Sequence, residues 1–403
     1  MNDSRLPEVR APGAEAEARL PWVMLVTISV ATFLVNGSAV ALAPFLLDVS
    51  RDLGVTLGAA ANLIALMSIS WGVVSVTAGA ASDRIGRRPV LVAAVLTLGA
   101  ARLGLALSHS YPASALWQLL AGAGGGGFMG TVFAAVSDRV AVAQHGRALG
   151  WVLTGQSLSM VAAVPLVTLL GAVGGWRVAI GAQAATAVVS AAAVWLVVPG
   201  GAAVRGAGAP SRASLRGVVS PRIVGLLLAG TMERTCFAAV AVYLATFLLT
   251  VYGIAMGALA LALALVALGN LAGNLLGGTL ADRPVPRPLV FAVASTVTAA
   301  LGLPLMLWRP GVAVSVALGF VYSFANAAGR PALMAALSEV PGEVRGAVLG
   351  LNITMSSIGW LSAAALGGWL VAQYGFGSLG VLTASAAGLG ALLALAAWRT
   401  RHR

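Results

Sequence analysis

The chain has 403 residues, 59% of them hydrophobic and only 9% charged, which leaves too little polar surface to cover a soluble globule of that size. Its formal net charge of +12 rests on arginine alone, since lysine is absent, and the arginines sit mostly between apolar runs of about 20 residues, the length that crosses roughly 30 Å of hydrocarbon. Charge so placed excludes nucleic acid as a partner and marks a polytopic membrane protein.

Residues 1–20 carry Asp3, Arg5, Glu8, Arg10, Glu15, Glu17 and Arg19 with two prolines, a polar tail without the continuous apolar core of a signal peptide. Beyond it the hydropathy pattern predicts twelve transmembrane spans, over 21–47, 57–81, 89–108, 112–136, 146–171, 176–198, 222–249, 255–281, 288–308, 311–337, 346–373 and 376–398. Runs this long are helices and not barrel strands, because a helix satisfies every backbone amide within its own segment. Residues 199–221, rich in Gly, Ala and Ser, read as a flexible linker. It divides one six-helix bundle, 21–198, from a second, 222–398, and 399–403 form a short tail. Eighteen arginines fall in the tails and in the loops after spans 2, 4, 6, 8 and 10, against Arg51, Arg177 and Arg309 on the other side. The positive-inside rule therefore places both termini in the cytoplasm, and the expected location is a bacterial inner membrane.

The chain repeats itself. Gly79-Ala-Ala-Ser-Asp83-Arg84-Ile-Gly86-Arg87-Arg88 follows span 2, and Gly278-Thr-Leu-Ala-Asp282-Arg283 follows span 8, in the same register 199 residues later. Ser137-Asp138 returns as Ser338-Glu339, the run from His145 to Gly150 as the run from Arg345 to Gly350, and Gly174-Gly-Trp176 as Tyr374-Gly-Phe376. Four registers at nearly one offset describe a duplicated unit. The second copy of the phrase looks worn, with Pro284, Pro286 and Pro288 where the first has its later glycine and basic residues.

Gly79-x-x-x-Asp83-Arg84-x-Gly86-Arg87-Arg88 in that context resembles the major facilitator superfamily, over nearly the whole chain. The pattern is most similar to its twelve-helix drug and proton antiporter group, with Ala121-Gly122-Ala-Gly124 in span 4 and Pro165 ahead of Gly171 and Trp176 at that group's motif positions. Two departures stand out: Gln118 occupies the place of an arginine in span 4, and Ala162, Ala163 and Val164 replace glycines beside Pro165. The resemblance implies an all-α fold of twelve helices in two pseudo-symmetric six-helix bundles, with spans 1, 4, 7 and 10 lining a central cavity.

By resemblance the phrase gates that cavity. Gly79 admits a close helix neighbour, Asp83 meets a helix dipole or an arginine, and Arg87 is one turn from Asp83 and within reach of Asp138. The gating set is Gly79, Asp83, Arg84, Gly86, Arg87, Arg88 and Asp138 with Gly278, Asp282 and Arg283; the alternative is that these residues only anchor a loop.

Glu233 lies roughly 16 Å along span 7, near mid-membrane, and burial makes a carboxylate a candidate for taking up a proton. Arg234 follows it, and adjacent helical residues diverge by about 100°, so the two are not expected to face each other. Glu233 reads either as a proton carrier or as a structural partner of Arg330 in span 10. By resemblance Asn36 and Gln118 join Glu233, Arg234 and Arg330 around the cavity, with Gln156, Asn270 and Asn274 next in line; Gly269, Gly273 and Gly277 make the helix of Asn270 and Asn274 a packing surface too, which favours these two as structural hydrogen-bond partners over ligands. Arg102, close to the outer end of span 3, is expected to snorkel to the headgroups. Trp71 and Phe128 read equally as cavity aromatics or as lipid-facing or core side chains. Gly124 to Gly127 is not a phosphate loop, lacking a Gly-Lys-Ser/Thr sequel, and reads as helix packing. His109, His145 and His402 are scattered, so no metal or cofactor is expected, and no grouped nucleophile and base suggests an enzyme.

The expected function is secondary active transport by alternating access: proton-coupled efflux of a small organic or drug-like substrate through a monomer in contact with membrane lipid. The alternatives are uptake or exchange of a small organic anion held by the intramembrane arginines, and a non-transporting membrane sensor.

Overall fold

The computed structural model describes residues 20–140, 144–200, 220–340 and 342–399. The tails expected at 1–20 and 399–403 and the linker at 199–221 lie almost wholly outside the described residues. In chain order the helices are α1 (Trp22–Val40), which runs through a short 3-10 turn into α2 (Leu46–Asp52), then α3 (Leu57–Ile85), α4 (Arg87–Leu107) and α5 (Tyr111–Ser137). They continue as α6 (His145–Leu158), a π turn at Ser159–Ala163, and α7 (Val164–Val197). The second half holds α8 (Pro221–Tyr252), α9 (Met256–Ala281), α10 (Arg287–Leu307), α11 (Val312–Ser338), α12 (Gly342–Tyr374) and α13 (Gly377–Arg399).

Local chemistry sets the boundaries. Thr56 and Ser220 cap α3 and α8, each side-chain oxygen accepting an N–H three residues on, which satisfies one of the amides a helix start leaves unpaired. Gly86, at φ 104°, is the single residue between α3 and α4, a turn that a side chain would strain.

Eleven stretches among the described residues are long and apolar enough to cross a membrane, where the sequence predicts twelve. The difference is one run, Ala148–Val197, of 50 residues, which at 1.5 Å per residue is about 75 Å and more than twice a bilayer core. Gly175, at φ 77° and ψ 170°, breaks this run where spans 5 and 6 were separated in the sequence. Gly375, at φ 73°, marks the same place in the second half, between α12 and α13. The π turn ends one residue short of Pro165, whose ring nitrogen cannot donate to the helical ladder.

Glycines carry the tightest crossings. Gly122, Gly126 and Gly130 of α5 lie on the backbone carbonyls of Met67, Trp71 and Ser75 of α3. In the second half the roles are exchanged: Gly269, Gly273 and Gly277 of α9 lie on the carbonyls of Phe320, Phe324 and Ala328 of α11. Approach this close removes room for a β-carbon and permits Cα–H···O contacts. Gly124 rests against α4, and Gly125 against the ring of Trp71, so the glycine run is packing. Trp71 itself packs on α5 and Phe128 is wholly buried in the first half's core; neither lines the cavity between the halves.

The two halves share one apolar core at the end opposite the Gly79–Arg88 loop. There Phe45, Leu46 and Leu63 cluster with Tyr243, Phe247 and Leu259, and Gly58 of α3 meets Gly368 of α12 backbone to backbone. At the loop end each half has its own core: Leu25, Leu91 and Val132 in one, Leu226, Phe291 and Leu337 in the other.

Gly126→Leu and Gly273→Leu are expected to destabilise by about 1–3 kcal/mol, as overpacking does, whereas Gly278→Leu, which meets open space, leaves stability unchanged. Thermal unfolding of the purified variants in detergent checks the contrast.

Candidate functional site

Glu233 sits mid-way along α8 and is 3% exposed. Arg234 folds back over its own helix to clasp it, with Nε donating to Oε2 at 2.6 Å and Nη2 to Oε1. This corrects the expectation that the neighbours point apart. The 100° separation governs only the Cα–Cβ directions, and the long arginine stem spans the gap. Gly359 of α12 presses on the Arg234 β-carbon, and the guanidinium rests 4.7 Å above the Phe237 ring, so the side chain has few other places to go.

Arg330 of α11 completes the cluster from across the bundle, with Nη1 donating to Glu233 Oε2 at 3.1 Å. Two guanidiniums on one carboxylate leave a net charge of +1. Asn326, one turn before Arg330, donates to the Glu233 backbone carbonyl at 3.5 Å, while its own Oδ1 is buried without a partner. The sequence reading missed Asn326; its signal was the spacing of four from Arg330, which puts both on one face of α11. Asn326, Asn270, Phe237 and Tyr322 line a cavity of about 70 Å³ that Val40, Met160 and Val164 close from the first half.

The second cluster is at the loop end. Arg87 bonds Asp83 Oδ1 at 2.6 Å, Asp138 Oδ2 at 2.9 Å, the Gly79 carbonyl at 3.3 Å and Ser82 Oγ, tying α3, α4 and α5 together. Gly79 approaches the Gly130 carbonyl of α5 as its small size allows. Arg88 stacks 3.8 Å over the Trp195 ring, and Arg84 is exposed.

The second half builds the same knot from other residues. Arg287 bonds Glu339 at 2.8 Å and Arg222 bonds it at 2.9 Å. Arg287 thus takes the place of Arg87, and Glu339 that of Asp138. The prolines did not erase the second copy. Asp282 and Arg283 are exposed and form no ion pair among the described residues, and Gly278 faces open space, so these three expected gating residues lie outside the knot. Every ion pair described stays within one half.

The sequence profile of the Major Facilitator Superfamily matches residues 28–361 and, in an overlapping register, 226–403. The chain belongs to that superfamily. Membership makes it an integral multi-pass membrane protein of a non-enzymatic family. It is 30% identical over 210 residues, 52% of this chain and 54% of the relative, to a chloramphenicol resistance protein of Streptomyces lividans. It is 28% identical over 178 residues, 44% of each chain, to the transcription regulatory protein OpdE of Pseudomonas aeruginosa. The matches therefore span about half the length of these curated relatives. A solved bacterial homologue of the human lysosomal transporter Spinster, inward-facing and unoccupied, superposes with a TM-score of 0.71 at 14% identity, over 94% of this chain and 96% of that one; at that identity the likeness shows the fold.

The remaining expected site residues of this superfamily member disperse. Asn36 is buried and bonds Thr32 and Met129 within the first half. Asn274 donates to Asn270, and the Gln156 side chain makes no described hydrogen bond. No described contact joins Asn36, Gln118 or Gln156 to the Glu233 cluster.

Gln118 instead accepts from Arg102, which corrects the snorkelling expectation: Arg102 is 1% exposed. Its Nε donates to Ser38 Oγ at 2.6 Å, and its Nη2 to the Ser38 carbonyl at 2.7 Å and Met67 Sδ at 3.1 Å. Neutral acceptors on α1, α3 and α5 hold it inside the bundle, and its guanidinium meets the residue that stands where the resemblance implies an arginine.

Arg330→Ala removes one of three charge-assisted bonds to a buried carboxylate and is expected to destabilise by about 1–3 kcal/mol. In a Glu233→Ala background the same change is expected to have a much smaller effect, a non-additivity that a double-mutant cycle on thermal unfolding reads directly.

Proposed function

We propose that the chain is a secondary active transporter working by alternating access through twelve crossings. It exports a small organic compound against inward proton flow, with Glu233 as the proton-responsive group. The observation that carries this reading is a lone carboxylate buried between two arginines beside the cavity between the halves. Protonating Glu233 removes the negative charge from a cluster of +1 and leaves two guanidiniums uncompensated in a poorly solvated place, an arrangement that is stable only with a change of packing or access to water. A proton is thereby coupled to a conformational choice.

Counting the Gly175 break as a turn gives twelve crossings and puts both arginine knots on one face, the cytoplasmic one by charge distribution. The shared core at the opposite end then serves as the outer seal. Because the knots lie within each half, they hold each half's helix ends rigid while the halves rock. The likeness to a chloramphenicol resistance protein supports efflux of a compact organic molecule.

Two other readings follow from specific observations. The net positive charge of the Glu233 cluster favours a small organic anion as cargo, and the likeness to a protein named as a transcription regulator favours a sensor without flux.

In proteoliposomes, Glu233→Gln is expected to abolish movement driven by an imposed pH gradient while the protein stays folded; gradient-driven flux at the native rate sinks the proton assignment. Absence of any flux in the native protein favours the sensor, and a thermal-shift series of anionic and cationic lipophiles separates the two cargo classes. Arg87→Met is expected to slow flux by about tenfold, the equivalent of one charge-assisted hydrogen bond, with cargo affinity unchanged in equilibrium binding.

A further inference from the structure

Arg102 is a buried cation without an acid. Its acceptors, the Ser38 hydroxyl and carbonyl, Gln118 Oε1 and Met67 Sδ, are all neutral, and it forms no ion pair among the described residues. A guanidinium taken out of water is strongly disfavoured unless its charge is balanced as well as hydrogen-bonded. Glu233 pairs with the arginines of the second half; among the described residues of the first half no carboxylate pairs with Arg102.

The same place is short of acceptors and has space. Ser38 Oγ donates to Gln183 Oε1 at 2.7 Å, which orients the Gln183 amide and leaves its Nε2 buried without a partner. Gln118 Nε2 is likewise buried and unpartnered. Arg102, Ser38 and Gln183 line one side of a cavity of about 170 Å³ between α1, α4 and the two segments of α7, and the remaining lining is almost wholly apolar, including Phe33 and Leu98. Exposed Leu166, Leu170 and Thr186 mark its mouth. They lie within apolar segments, so the mouth is at hydrocarbon depth.

We infer that this cavity is a binding site for a small aromatic monocarboxylate, its carboxylate on Arg102 and Gln183 and its ring among the apolar side chains. The charge requires an anion, and the unpaired donors require acceptor atoms. The apolar walls require a hydrophobic body, and the volume suits one ring, since an apolar cavity of about 150 Å³ accommodates benzene. The site is in the first half, apart from the Glu233 cluster, and does not depend on the transport reading.

The test is equilibrium binding of radiolabelled benzoate to the full chain in lipid nanodiscs. One saturable site per chain is expected, weakened about tenfold or more by Arg102→Met, as loss of a hydrogen-bonded charge implies, weakened also by Gln183→Leu, and unchanged by Glu233→Gln. Neutral benzamide is expected not to displace it. Absence of saturable binding overturns the site, as does equal displacement by benzamide. Displacement by equimolar chloride overturns the aromatic class, and tighter binding in Glu233→Gln, which raises the net charge of the central cluster, places the anion there and overturns the assignment. If Arg102→Met does not fold, Gln183→Leu decides: weakened binding supports the site, and native affinity overturns it.

Discussion

Charge at hydrocarbon depth is the constraint around which the interior is organised. Among the described residues Arg102, Arg234, Arg330 and Glu233 lie within the apolar helices, and each is held by named partners. The second half solves the problem electrostatically, two guanidiniums gripping one carboxylate across α8 and α11. The first half solves it with neutral acceptors from three helices around Arg102. The two solutions have different consequences. An ion pair can be switched by a proton, whereas a guanidinium among carbonyls and amides keeps its charge throughout and can only be answered by another ion.

The arginine knots at the loop end use the same chemistry where water is available. Arg87 and Arg287 each gather a carboxylate from the foot of the helix that ends beside them, Asp138 and Glu339. These ties fasten helices within a half. What fastens half to half is apolar, the joint core around Phe45 and Phe247. Polar ties fasten helices within each half, and an apolar patch joins the halves at the end opposite the Gly79–Arg88 loop.

Much of this was legible in the sequence. Span positions follow from hydropathy, because the bilayer fixes the length of any apolar helix. The Arg87–Asp138 contact follows from a charge at each of two helix ends that a short loop brings together. The Glu233–Arg330 contact was one of two readings the sequence left open, whereas side-chain reach and the remaining partners were not legible. Arg234 clasps its own neighbour because a flexible stem overrides the angular separation of adjacent residues, and a helical wheel carries no information about that stem. Arg102 turns inward because Ser38 and Gln118, 64 and 16 residues away, offer acceptors, a convergence that exists only once the helices are packed. The apparent wear in the second phrase was misleading for a related reason: prolines altered the turn between α9 and α10, yet Arg287 still emerges at the place where Glu339 can meet it. The Gly175 break was visible as a glycine pair, but not that its flanking helices run on with so little interruption.

The exchanged glycines of the two halves carry a last consequence. At the α3–α5 crossing the missing side chains belong to the later helix, and at the α9–α11 crossing to the earlier one. Steric room at a crossing is a property of the pair, so after a gene doubles, either partner can surrender its volume and release the other. Copies of an ancestral unit can then diverge in composition while the backbones keep their spacing. Residue-by-residue comparison of the halves understates their kinship for that reason: what was inherited is the gap between two helices, and the side chains that vacate it are free to trade places.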